Sequence, residues 1–262
     1  MAFEDILYEK RDGVATITIN RPKVLNAFRA ETVEEMLSAM RDAEDDRAIG
    51  VIVLAGAGDR AFCSGGDNSA RASGAEQEGG YGGRGLVGLP IEELHSAIRD
   101  SRKPVIAKVQ GYAIGGGNVL ATVCDLTIAS EKAVFGQVGP RVGSVDPGWG
   151  TAYLSRLVGE KRAREIWFLC RRYTAAEAYE MGLVNKVVPA DRLDAEVAAW
   201  CQEILALSPT AIAIAKRSFN ADTEQLRGLS SLGFEAVALY YGTEESKEGG
   251  RAFREKRPPR FR

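Results

Sequence analysis

A chain of 262 residues, 45% apolar and 27% charged, has the size and balance of one large globular domain, or of one domain with an appendage. Its 34 basic and 36 acidic side chains nearly cancel, so no global field draws it to nucleic acid or to an anionic membrane. No run approaches the ~18 apolar residues of a membrane span, and the opening MAFEDILYEKRDG lacks the basic and apolar regions of a signal peptide, so a cytoplasmic protein is expected.

Along the chain, Ala15, Ile17 and Ile19 alternate with Thr16 and Thr18, the pattern of a half-buried strand. Val33, Met36, Leu37 and Met40 then predict one face of a helix. Val51 to Ala55 is a continuous apolar run of strand length, which predicts a strand buried on both faces. The GAGDRA that follows fits a loose dinucleotide-binding pattern, but FCSGGDNSARASG comes next. That is not a helix, so a nicotinamide site is not supported. Between Ala70 and Gly88 the chain is rich in glycine and poor in core residues, a mobile lid or functional loop. The single histidine, His95, shares a helical face with Ile91, Leu94 and Ile98; a partly buried, hydrogen-bonded ring is expected there. One histidine leaves no His-rich zinc site, and no GxSxG elbow is present. Strands at Val105 to Val109 and Leu126 to Ala129 flank GYAIGGG.

Strands alternating with helices predict an α/β fold with mostly parallel pairing. After about residue 190 the character becomes helical. Thr174 and Glu177 form a capping box closed by Gly182, Trp200, Cys201, Ile204 and Leu205 share a helical face, and Pro209 after Ser208 opens a further helix. Six basic residues lie in the last twelve, either a solvated terminus or a phosphate or subunit contact. The cysteines Cys63, Cys124, Cys170 and Cys201 form no CxxC pair and read as reduced packing residues.

Two loops carry the chemistry. In AFCSGGD and GYAIGGG, glycines leave backbone N–H groups unshielded beside strand ends or at a helix start. Two such donors aimed at one oxygen stabilise an enolate or a tetrahedral intermediate; tight helix–strand packing is the plainer reason for the same glycines.

ITINRPKVLNAF, AFCSGGD, VQGYAIGGGNVLATVCDLTIAS, FGQVGPRVGSVDPGWG and AAEAYEMGLVNKVVP, in that order, resemble the enoyl-CoA hydratase/isomerase (crotonase) superfamily. The resemblance implies a spiral of ββα units over residues 1–190, with CoA and oxyanion sites, and a helical C-terminal region over 191–262 for trimerisation and completion of the active site. It implies acyl-CoA substrates, a homotrimer or a homohexamer (dimer of trimers), and an oxyanion hole from the N–H groups of Gly66 and Gly116. It further places CoA at the backbone of Val24 and Leu25, the adenine near Ser64, Gly65 and Asp67, the phosphates near Arg71, and C-terminal contacts from Phe253 and Lys256 of a neighbouring subunit.

The hydratases of that superfamily carry two glutamates. One falls after the glycine triplet, where Asn118 and Val119 stand here, and the other in FGQVGPRVG, which has none. The chain is instead similar to the branch that makes or breaks carbon–carbon bonds in β-keto thioesters. That branch includes ring-closing 1,4-dihydroxy-2-naphthoyl-CoA synthases and ring-opening 2-ketocyclohexanecarboxyl-CoA hydrolases. Its GSxD segment and late tyrosine correspond to Ser144, Asp146 and Tyr241. On the residues alone, Asp146 is equally a helix-cap aspartate and Tyr241 a core aromatic. By the resemblance Asp146 is the general base, Ser144 and Tyr241 hydrogen-bond the ketone, and Trp149 and Trp167 shield the base. Three positions resemble the hydrolase: Val138 where bicarbonate-using synthases have threonine, Arg84 after Tyr81-Gly82-Gly83, and Pro147. Gln137 and Trp167 of the bicarbonate site remain, so bicarbonate is expected only under the synthase alternative; no metal or redox cofactor is indicated. Tyr81 is expected at the substrate, and Arg84 is expected to meet a substrate carboxylate or its incipient product, to steer the lid, or equally to be a solvated surface arginine.

Overall fold

The computed structural model describes residues 3–69 and 80–262. Strands β1 (Ile6–Arg11) and β2 (Val14–Ile19) form an antiparallel hairpin. The alternation in β2 is the expected one: Ala15, Ile17 and Ile19 are buried. Helix α1 (Ala30–Asp45) lays Val33, Met36, Leu37 and Met40 into the core. All six residues of β3 (Val51–Gly56) are buried, and the two faces of the strand explain the run. Ile52 and Leu54 join the main core, while Val51 and Val53 pack with Ile106, Ile128, Val197 and Cys201 in a second cluster on the opposite face.

Three turns of a spiral follow. Each sends one strand into a six-stranded sheet and the next into a four-stranded sheet before a helix closes the turn. β3 is followed by β4 (Ala61–Cys63) and α2 (Ile91–Asp100), then β5 (Val105–Val109) by β6 (Tyr112–Ile114) and α3 (Gly116–Val123). β7 (Leu126–Ser130) is followed by β8 (Val134–Gly136) and a single-turn α4 (Gly139–Val142). A π-turn at Trp149–Tyr153, α5 (Leu154–Val158), α6 (Glu160–Leu169), β9 (Arg172–Thr174), α7 (Ala175–Glu180) and β10 (Lys186–Val188) complete the core. The sheet orders are β1-β2-β3-β5-β7-β10 and β4-β6-β8-β9. Only the β1–β2 and β8–β9 pairs are antiparallel among these strands. The expected α/β spiral with mostly parallel pairing is therefore observed.

Four helices end the chain: α8 (Leu193–Leu205), α9 (Pro209–Ala221), α10 (Gln225–Tyr241) and α11 (Glu244–Arg254). The Thr174–Glu177 capping box and the Ser208 cap form as expected. Lys216 anchors α9: its buried ammonium donates to the carbonyls of Ile98 and Lys103, both at 2.9 Å, and to Asp125 at 2.7 Å. No single helix among the described residues is long and apolar enough to cross a membrane. All four cysteines are buried and free.

One expectation is corrected. His95 is fully buried on α2, but neither ring nitrogen has a hydrogen-bond partner among the described residues. Nothing there rewards protonation, and burial pushes its pKa down to about 3, so the ring is a neutral part of the core.

Candidate active site

Two glycine loops meet at the strand ends of the smaller sheet. Phe28 donates its N–H to the Gly65 carbonyl at 2.9 Å and accepts from the Asp67 N–H at 2.8 Å. In this parallel bridge the residue opposite Phe28 is Gly66, so the Gly66 N–H points away from the pairing and toward the cleft. Gly65 has φ +92°, and a Cβ on it would lie 2.9 Å from the Gly116 nitrogen; only glycine lets the two loops come this close. Gly116 opens α3, whose first N–H groups have no partner within the helix. Both donors border one cleft, as an oxyanion hole requires.

The opposite wall comes from the GSVD segment. Ser144 and Tyr241 hydroxyls hydrogen-bond each other at 2.7 Å, and both border the cleft with Asp146. Asp146 Oδ1 accepts the Gly150 N–H at 3.3 Å, so it caps the π-turn while its carboxyl faces the cleft. Burial raises its pKa to about 7, with the Gly150 N–H opposing and the negative charge of Glu92 adding to the rise. A carboxyl tuned in this way is half-ionised near neutral pH, which suits a general base. Of the two proposed shields, Trp167 lines the cleft and donates its indole N–H to the Gly150 carbonyl at 2.5 Å. Trp149 is buried just behind, edge-on to Tyr153 with ring centroids 5.6 Å apart.

The C-terminal helices hold this wall in place. Ser246 on α11 donates to the Gly143 carbonyl at 3.1 Å. Pro147 lies against Gly233 of α10, and Gly148 lies against Ser230. Phe28, Leu89, Ile91 and Phe234 make the cleft's apolar lining.

The remaining predicted residues divide into three groups. Ser64, Gly65, Tyr81, Gln137 and Val138 line the cleft. The Tyr81 hydroxyl covers Gly66, at 2.2 Å from where a Cβ would sit. Gln137 is buried and its amide nitrogen has no hydrogen-bond partner among the described residues. At the mouth, the Ser64 N–H donates to the Leu25 carbonyl at 3.1 Å and its hydroxyl to the Val24 carbonyl at 3.4 Å, so the backbone expected to meet CoA is gathered in one place. Asp67 is buried, with its carboxylate on Arg21 at 3.0 Å, which makes it an anchor of this loop.

Arg84 is outside the cleft lining. Its guanidinium pairs with Glu34 of α1 and Glu93 of α2, so it ties its segment to the outside of the molecule. This corrects its expected contact with a substrate carboxylate. Lys256 is exposed and away from the cleft. In the basic tail, Arg257 folds back onto Glu248 at 2.6 Å, an internal contact in place of a free cation. Arg71 and the side chain of Phe253 lie outside the described residues.

Sequence reasoning missed Asn26, Phe234 and Glu92. Asn26 binds the carbonyls of Ala57 and Ala61 at 3.0 and 2.7 Å and so fixes the first glycine loop. Its signal was the NAF that closes the first motif; the other two carry no local signal.

The fold is thus an α/β spiral in which two glycine loops face a carboxyl and a hydroxyl pair across one cleft. The profile of the enoyl-CoA hydratase/isomerase family matches residues 9–262, and solved structures agree. An enoyl-CoA hydratase from Mycobacterium avium subsp. paratuberculosis K-10 is 32% identical over 100% of both chains, with a TM-score of 0.85. An enoyl-CoA hydratase/isomerase from Xanthobacter autotrophicus Py2 is 31% identical over 97% of this chain and 94% of its own, with a TM-score of 0.84. A carnitinyl-CoA hydratase from Mycobacterium avium is 28% identical over 99% and 98%, with a TM-score of 0.83. The chain belongs to the enoyl-CoA hydratase/isomerase family and is an acyl-CoA-processing enzyme of the crotonase superfamily.

Proposed function

We propose that this enzyme opens the ring of a cyclic β-keto acyl-CoA, such as 2-ketocyclohexanecarboxyl-CoA, by hydrolysis to a dicarboxylic mono-thioester, pimeloyl-CoA in that case. The observation that carries the proposal is Asp146, a cleft carboxyl poised near neutrality beside the Ser144–Tyr241 hydroxyl pair. Hydration of an enoyl-CoA has less support. The position after the glycine triplet is Val119, which packs toward Asp146 and Gly150 and neither accepts nor delivers a proton.

In the proposed reaction Asp146 takes a proton from water as the water oxygen attacks the ring ketone, and Ser144 and Tyr241 donate to the resulting alkoxide. Collapse forms the carboxylic acid and breaks the bond to the carbon α to the thioester. The electron pair of that bond becomes a thioester enolate, held by the Gly66 and Gly116 N–H groups. Protonation at the α carbon by Tyr241, with Asp146 the final proton source, or by water completes the addition of one water across the broken bond. The chemistry uses no metal, redox group or other cofactor besides the CoA thioester substrate.

The ring-closing synthase is the alternative. The bicarbonate-using type relies on bicarbonate as base; Gln137 offers an unpartnered amide nitrogen for it among the described residues, but Val138 has no hydroxyl and the Trp167 N–H is held by the Gly150 carbonyl.

We also propose a cytoplasmic homotrimer or dimer of trimers, in which the exposed Ile214, Phe219, Leu232 and Leu239 of α9 and α10 supply apolar contact surface.

Incubation with 2-ketocyclohexanecarboxyl-CoA in ¹⁸O-water, followed by mass spectrometry, tests the reaction. Pimeloyl-CoA with one ¹⁸O in the new carboxylate is the expected product. An intact thioester, together with cyclisation of o-succinylbenzoyl-CoA, overturns the proposal in favour of the synthase.

A further inference from the structure

Between β2 and α1 the chain makes a tight, strained turn. Leu25 and Asn26 both take the left-handed region, each with φ +55°, a conformation that a bulky side chain such as leucine resists. Asn26 closes the turn on Arg21: its side chain accepts the Arg21 N–H at 3.0 Å, and its own N–H donates to the Arg21 carbonyl at 2.9 Å. Strain of this kind persists only where the surroundings over-determine the backbone.

Arg21 turns a largely buried guanidinium back over this loop. One terminal nitrogen donates to the Ala27 carbonyl at 2.5 Å, the other meets the Asp67 carboxylate at 3.0 Å, and Nε faces Asp5 at 3.5 Å. Ala27 precedes Phe28, Asp67 follows Gly66, and Phe28 and Gly66 are the residues opposed in the parallel bridge. Both segments of that bridge are therefore held by the two prongs of one fork. The guanidinium is planar and its prongs are a fixed distance apart, so it sets the spacing of the segments and the direction in which the Gly66 N–H leaves them.

We infer that Arg21 is a positioning residue for the oxyanion donor: its guanidinium ties the Ala27 carbonyl to the Asp67 carboxylate and so aims the Gly66 N–H at the thioester oxygen. The inference rests on the reading of Gly66 and Gly116 as the oxyanion hole. Arg21 is not part of the cleft lining, so it acts only through its two neighbours.

The other groups at the clamp do not impose the same constraint. Asp5 is satisfied without Arg21, because it accepts from Arg29 Nε at 2.8 Å and from the Thr32 hydroxyl at 2.5 Å. The Asp67 carboxylate also accepts the Ser69 N–H at 2.9 Å, but that donor belongs to its own loop. The mouth of the cleft is held separately: Asn26 binds the Ala57 and Ala61 carbonyls, and Ser64 meets the carbonyls of Leu25 and Val24. Loss of the fork therefore falls on turnover and carbonyl polarisation more than on CoA affinity. A lysine keeps the charge but offers one ammonium where the fork offers two prongs, so charge alone does not rescue.

The test reads the carbonyl directly. Hexanoyl-CoA labelled with ¹³C at its thioester carbonyl has no ketone to cleave, and its carbonyl stretch is followed by difference infrared spectroscopy in complex with the enzyme. The unmutated enzyme is expected to shift the stretch to lower wavenumber. Arg21→Lys loses about half of that downshift, the share of one of two donors, and kcat with 2-ketocyclohexanecarboxyl-CoA falls ~10-fold. Its Kd for hexanoyl-CoA stays within about threefold, as for a loss confined to the transition state. Arg21→Met/Asp67→Asn removes both charges of the pair, so no carboxylate is left buried without its cation; it is expected to show the same weakened downshift, and it keeps the test open where Arg21→Lys fails to fold. Either folded variant with the full downshift and full kcat overturns the inference, because Arg21 would then only balance charge. A spectrum of the unmutated complex with no downshift removes the oxyanion hole itself, and the inference with it.

Discussion

The two walls of the cleft are built on opposite plans. The proposed oxyanion wall is backbone: the Gly66 and Gly116 N–H groups, fixed by a β-bridge, a helix start and a contact between loops too close for any side chain. The proposed acid–base wall is side chain: Ser144 and Asp146 come from an irregular turn, and Tyr241 is the last residue of α10. The first wall is set by an isolated bridge between Phe28 and Gly66 and by the start of α3. The second depends on how α10 and α11 press on residues 143–148. Tuning of proton affinity therefore belongs to the wall that tertiary packing can adjust.

Breaking the backbone wall has the largest expected effect. In Gly65→Ala the new Cβ meets the Gly116 nitrogen, at a φ of +92° that alanine resists. Turnover falls on the order of 10²–10³-fold, as for loss of an oxyanion donor, and steady-state kinetics with the thioester measures it.

Asp146→Asn removes the proposed base from the other wall and is expected to lower kcat by ~10²-fold or more. It also separates chemistry from stability. The folded enzyme holds a proton on Asp146 up to about pH 7, well above the ordinary 3.8. Between these values the folded state binds more protons than the unfolded chain, so this residue lowers stability as pH rises. The variant should therefore melt higher than the unmutated enzyme at pH 8 and lose that advantage by pH 3 to 4, which calorimetry would show.

Tyr241→Phe deletes one member of the hydroxyl pair and is expected to cost ~10-fold in kcat, the worth of one hydrogen bond. An equal loss in Ser144→Ala and no further loss in the double variant would show that the pair acts as a unit. The smallest effect falls outside both walls. His95 stays neutral to about pH 3 whereas the unfolded chain protonates near 6.5, so its share of stability is present above that value and declines as pH falls through the window. His95→Phe should flatten the decline in Tm between pH 7 and pH 5 and leave kcat within about twofold.

The same contrast explains what could be read from the chain. Strand alternation in β2, the doubly buried run in β3 and the glycines of both loops are local signals, because backbone machinery leaves its residue types in sequence. The Ser144, Asp146 and Tyr241 set was visible only through resemblance to relatives, since nothing local distinguishes a base from a cap. Arg84 could not be resolved between a substrate contact and a surface arginine, because its partners, Glu34 and Glu93, lie 50 residues before it and 9 after.

The fastening of residues 143–148 to α10 and α11 gives the enzyme a division of labour that variation can use. On the proposed mechanism, substitutions on the inner faces of the last two helices would shift Ser144, Asp146 and Tyr241 without touching the Gly65–Gly116 contact. Under that reading the proton chemistry can vary from the C-terminal helices while the two glycine loops stay as they are.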